Sequence, residues 1–247
     1  MAVGRSMRNR SDGLKEKEPP AVMQTALLGF MGIVLAFGLS LAVGRYETRR
    51  AAVVSEANAI GTTYLRAQTL MEPVRTESIE LLERYADTSI RISHAPPGSI
   101  EQTEATADSG RIQRGLWGLA GDALVSAPAA SAPRLYVETL NQTFDAQSTR
   151  VAGLANRVPT LVLLLEVIGA AIALGLLASH VALLGRGVIA IMMAAVLVSF
   201  TLFVTFELDR PSRGFIAVPS TPLDNVRDSM EAGPAAEGPD SEGTDAP

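Results

Sequence analysis

The chain has 247 residues and a formal charge of −5, yet only 19% of its residues are charged against about 25% in an ordinary soluble domain. With 47% hydrophobic residues and a mean hydropathy of +0.22, long apolar stretches must have displaced charge. The absence of Cys excludes disulfides, thiolate metal sites and a Cys nucleophile, two His make a His-rich metal site untenable, and the acidic balance argues against a nucleic-acid partner.

Residues 1–20 form a polar, basic leader with no apolar period, expected to be unstructured. The first span is placed at 21–43, where 23 residues of helix reach about 35 Å, enough to cross a hydrocarbon core. Its apolar length and the sequence Val43-Gly44-Arg45-Tyr46 suit a retained anchor better than a cleaved signal peptide.

A polar domain follows over 44–158 and reads as helical throughout. Val53, Ala57, Ile60 and Tyr64 lie on one stripe of a helix expected to continue from the first span until Pro73. Ile79, Leu82 and Ala86 mark a second helix, stopped by His94-Ala95-Pro96-Pro97-Gly98. A third, from Ile100 to Val125, is weakened by four glycines, and Ser126–Pro133 is a loop by composition. In the fourth, Val137, Leu140, Phe144, Val151, Leu154 and Val158 form the expected buried seam. Trp117 and Phe144 are expected in the core.

The second span is placed at 159–183 and the third at 188–206, joined through Gly185-Arg186-Gly187 as a tight hairpin. Small residues four apart (Ser40 and Gly44; Gly169 and Ala173; Ala171 and Gly175; Ala190 and Ala194) would let helices approach closely, within one chain or between copies of a homo-oligomer. A juxtamembrane segment, 207–228, and an acidic disordered tail, 229–247, complete the chain. The fold class expected is therefore all-α: a helical integral membrane protein with three spans and a helical polar domain between spans one and two.

Basic residues within about 15 positions of the span ends number five on the side of the N-terminus and the Gly185–Gly187 turn. They number seven on the side of the polar domain and tail, which places that domain and the tail in the cytoplasm.

Arg45-Tyr46-Glu47-Thr48-Arg49-Arg50, the run Glu56–Ala67 with Glu56, Asn58, Tyr64 and Arg66, Leu81-Leu82-Glu83-Arg84-Tyr85, Arg157-Val158-Pro159, and Leu208-Asp209-Arg210-Pro211 with Arg213-Gly214 together resemble the bacterial bestrophin-like family of membrane proteins. The resemblance covers roughly residues 25 to 227. It implies a subunit of a pentameric anion channel with a cytosolic helical domain, and hence an inorganic anion and the lipid bilayer as partners. It also implies a further apolar span upstream of Ala21, with Met1–Pro20 as the linker to it. Neither the pore residues of bestrophins nor their calcium-binding acidic cluster match positions in this chain.

Glu166, in the second span, is the main intramembrane candidate, because an ionisable group at that depth is costly and faces protein or water. It could line a pore or respond to protons, although a ring of bare carboxylates would repel anions. The competing structural role is a hydrogen bond to Gln24 or Thr25 on a neighbouring helix. Arg45, Arg49, Arg50, Arg210 and Arg213 could hold anionic headgroups or gather anions, or simply anchor the span ends. His180 is expected to be an interfacial, solvated side chain. In Glu56–Arg66, links at helical spacing within the helix would account for the polar face. No cofactor motif, metal motif or constellation of acid, base and nucleophile is present, so an enzyme is not expected. The alternative to a channel is a membrane-anchored sensor or scaffold whose helical domain binds a ligand or partner.

Overall fold

The computed structural model describes residues 18–184, 187–210 and 216–233. These form seven helices and no strand: α1 Glu18–Ala67, α2 Val74–His94, α3 Ile100–Ser126, α4 Ser131–Ala155, α5 Thr160–Leu184, α6 Val188–Asp209 and α7 Thr221–Glu231. Three of them, α1 over Gln24–Ala67, α5 over Thr160–Ser179 and α6, are long and apolar enough to cross a membrane. The leader through residue 17, the centre of the α5–α6 turn and the tail beyond residue 233 lie outside the described residues. The chain divides into two compact units.

One unit combines residues up to Gly44 with Val158–Asp209. The α1 face used within it runs Met31, Leu35, Gly38 and Ala42, at alternating spacings of four and three. On α5 the buried positions are Glu166, Ala170 and Ala173. Gly169 gives room to the Met31 side chain, which occupies the space a β-carbon would need. The small pair Ser40 and Gly44 faces outward instead. At the end of α6, Asp209 Oδ1 accepts a 2.7 Å bond from the Val158 amide just before Pro159, pinning the start of α5. Helix α6 is otherwise barely covered, with Ile189, Met193, Val196 and Phe200 exposed.

The other unit holds residues 45–157 and the chain from Arg210 onward. Its core gathers Val53, Ala57, Ile60 and Tyr64 of α1, Leu82, Tyr85 and Ala86 of α2, Ile112, Leu116 and Ala120 of α3, Tyr136 and Leu140 of α4, and Leu223 and Met230 of α7. Ser99 caps α3, its hydroxyl accepting from the Gln102 amide while Gln102 accepts from the Gly98 amide. Helix α3 runs unbroken across the glycines expected to weaken it, Gly115 lying against Leu81 of α2.

Three expectations need correction here. Residues 221–231, assigned to a juxtamembrane segment and an acidic tail, form a helix that belongs to the helical unit, with Leu223 and Met230 buried. Gly61 of α1 faces this helix closely, since a β-carbon there would stand 3.0 Å from Val226 Cγ2. The buried face of α4 is Tyr136, Thr139, Leu140, Thr143, Gln147 and Arg150, one position off the apolar seam and largely polar. Trp117 is half exposed, its ring touching Phe144 at 6.4 Å rather than filling the core.

Candidate functional site

The polar face of α4 has a matching row on α1. Arg49, Glu56 and Thr63 are all buried there, interleaved with Val53, Ala57 and Ile60. The two rows meet in the interior. Glu56 receives Arg150 in a fully buried ion pair, and it also accepts a 2.7 Å bond from Ser89 Oγ of α2. Arg150 spends its other donors on Ser93 Oγ (2.9 Å) and the Ser89 carbonyl (3.2 Å). Two turns further, Thr63 and Thr143 share a 2.8 Å hydroxyl contact. Gln147 then exchanges bonds with Ser109 and accepts from Gln113, whose amide also reaches the Tyr85 hydroxyl. A polar spine thus runs through the helical unit, each member held by groups from neighbouring helices. Burial raises the pKa of two of the core tyrosines, Tyr85 well up and Tyr136 up to about 12.

The structure therefore redirects several candidates. Glu56 links across to α4 instead of along its own helix; only Thr62 bonds locally, to the Asn58 carbonyl. Asn58 itself is exposed. Tyr64 donates to the Met230 carbonyl of α7 (3.2 Å) and Arg66 to the Leu135 carbonyl of α4 (2.9 Å). Arg45 reaches Asn156 at the end of α4. Arg49 is buried, stacked near Gly153 with its Nε on the Arg45 carbonyl, and so does not offer itself to headgroups. Arg50 and Arg210 are exposed, Arg50 within 3.9 Å of Glu47. Arg213 and the His180 side chain lie outside the described residues.

In the other unit, Glu166 is fully buried within the chain. Its carboxyl fills the space where Gly38 of α1 lacks a side chain. Neither oxygen has a hydrogen-bond partner among the described residues. The expected bond to Gln24 or Thr25 is not formed. Gln24 instead donates to the Leu176 carbonyl (3.0 Å), because the α1–α5 pairing sets residue 24 near 176 and residue 38 near 166. A sealed carboxyl without a partner is costly at membrane depth.

Sequence reasoning missed Gly38, Arg150 and the surface arginines Arg84, Arg91, Arg111 and Arg227. The signal for Arg150 was available: a polar row at three- and four-residue spacing on α4 opposite another on α1. Arg227 bonds Asp87 (2.7 Å), which raises its affinity for the proton further. Among the described residues no three His, Asp or Glu side chains gather as a metal site.

The sequence matches the profile of the Bestrophin-like domain over residues 20–223. Comparison with curated proteins returns no match. Among solved structures, the fold is similar to a crystal structure of a bacterial Bestrophin homolog from Klebsiella pneumoniae solved by Zn-SAD phasing, with a TM-score of 0.68, 13% identity, 85% of this chain and 86% of that chain covered. A mutant of the same homolog gives 0.68 at 14% identity over 86% and 87% of the two chains. A crystal structure of a mutant membrane protein gives 0.69 at 14% identity over 85% of each chain.

Proposed function

This chain belongs to the bestrophin-like family of membrane proteins, and from that premise we propose that it is one subunit of an oligomeric ion channel whose permeant ion is an inorganic anion. The observation that carries the reading is the one-sided burial of the spans. Glu166 is turned inward and sealed, while α6 keeps Ile189, Met193, Val196 and Phe200 exposed and α1 keeps Phe30, Ile33 and Phe37 exposed. A sealed Glu166 offers no lining to a path within one chain. A pathway therefore has to be lined by faces that one chain leaves uncovered, which requires several copies around it. Apolar linings gate by excluding water and do not choose the sign of an ion. The preference for anions then falls to exposed cations beside the spans, Arg50, Arg157 and Arg210 among the described ones.

The charge count supports a cytoplasmic helical unit and tail. A second reading, a ligand-binding sensor domain on a membrane anchor, draws support from an arginine-lined cleft on the helical unit. Purified protein in liposomes, assayed for chloride flux and sized by native mass spectrometry, tests the channel. Flux from an oligomer is expected, weakened by Arg50→Glu; a monomer without flux would overturn it.

A further inference from the structure

We propose that the cleft between α2 and α3 is a binding site for a phosphate-bearing anion about the size of a mononucleotide. The cleft has a volume of about 330 Å³ and is lined by Arg84, Asp87, Thr88 and Arg91 of α2 with Asp108, Arg111 and Ile112 of α3. The four α2 residues follow one another at three, one and three positions, which sets them along one helix face. The volume lies at the lower end of the range for small-molecule sites and far exceeds a halide.

The charges are arranged for an oxyanion. Asp108 takes Arg91 Nη1 at 3.3 Å on one oxygen and Arg111 on the other, so a single carboxylate draws guanidinium groups from both walls together. Asp87 is held by Arg227 from α7. Three arginines thus face two carboxylates that are already engaged, and Arg84 makes no ion pair or side-chain hydrogen bond among the described residues. The planar donor fork of a guanidinium matches the oxygens of a phosphate better than it matches a spherical ion. Thr88 donates its proton to the Arg84 carbonyl, leaving its oxygen as an acceptor at the cleft wall. Ile112 supplies an apolar floor for the rest of a ligand. Arg91 and Arg111 are 50% and 65% exposed, so they can turn from Asp108 toward an incoming anion without unpacking the core. This site does not depend on whether the protein conducts ions.

The test is calorimetric titration of the full-length protein in detergent with inorganic pyrophosphate at fixed ionic strength. Saturable binding is expected, weakened about ten-fold or more in Arg84→Gln and in Arg111→Gln, since each loses charge-assisted bonds. Both variants alter exposed side chains and should keep the melting temperature of the parent without ligand. Competition with phosphatidic acid in nanodiscs separates the sources: displacement of pyrophosphate assigns the site to a lipid headgroup, and persistence assigns it to a soluble ligand. No saturation by the parent, an equal response to sodium chloride, or unchanged binding in both variants would overturn the proposal.

Discussion

Breaking the Glu56–Arg150 pair should be among the most damaging single changes available in the helical unit. The two side chains are 0% and 3% exposed, so removing either strands a charge away from water. Such losses cost about 3–5 kcal/mol, whereas replacing both partners with apolar groups is often neutral or better. The two single variants should differ. In Glu56→Leu the guanidinium keeps Ser93 Oγ and the Ser89 carbonyl, while in Arg150→Met the carboxylate keeps only the Ser89 hydroxyl. Arg150→Met should therefore be the worse of the two. At about 2–4 °C per kcal/mol for a chain of this size, each single change lowers the melting temperature by roughly 6–20 °C. The double variant should return to within a few degrees of the parent. The one tryptophan, Trp117, lies against Phe144 and reports the unit directly by fluorescence. Single variants that melt within about 2 °C of the parent would refute the reasoning, as would a double variant whose loss is the sum of the two, since contacting residues should couple by about 0.5–3 kcal/mol.

In the membrane unit, Gly38→Leu should push α1 and α5 apart, because the new side chain falls on the Glu166 carboxyl; a loss of about 1–3 kcal/mol by thermal melting in detergent is expected, partly recovered in Gly38→Leu/Glu166→Ala. Leu223→Ala should cost about 2–5 kcal/mol at a fully buried position and expose α7 to limited proteolysis, whereas Ser229→Ala, on an exposed side chain, should leave the cleavage pattern unchanged. Alkali should weaken the helical unit: Tyr136 stays protonated in the fold to about pH 12 but ionises near 10 when unfolded, so the unfolded chain binds fewer protons between those values. Tyr136 alone should lower stability there by roughly 1.4 kcal/mol per pH unit, with Tyr85 acting in the same direction, and Tyr136→Phe should reduce the slope in pH-dependent melting by that share.

Apolar periodicity was a sound guide where burial is apolar. Val53, Ala57, Ile60 and Tyr64 stand in the core as a four-three-four stripe would place them. It misled on α4, where Thr139, Thr143, Gln147 and Arg150 are buried with Tyr136 and Leu140. A hydrophobicity pattern assigns polar residues to water, so a face buried by mutual hydrogen bonding reads one position out of register. Helix α7 was hidden for a related reason. Its buried anchors are only Leu223 and Met230, two turns apart in an acidic stretch, and its close approach to Gly61 is one that no local pattern records. Glu166 could be picked out by its depth, but not its partner in space. The register of α1 against α5 is set by Gly169 admitting Met31 and Gly38 admitting Glu166, which is shape rather than polarity.

The residues that made the family recognisable have a consequence for where permeation should be sought. Arg45, Glu56, Tyr64 and Arg66 each bond a specific group on α4, just past its end or on α7, and Arg49 is buried against Gly153. Their spacing along α1 follows the positions of those receiving groups, so these links tie the helices of the helical unit together. Sequences could keep every one of these links while the exposed faces of α1 and α6 changed freely. If conduction runs along those faces, substitutions at Phe37 or Phe200, both largely exposed, should alter flux without altering melting, and substitutions at Glu56 or Arg150 should do the reverse per folded molecule. Selectivity would then belong to a surface whose composition the family signature does not report.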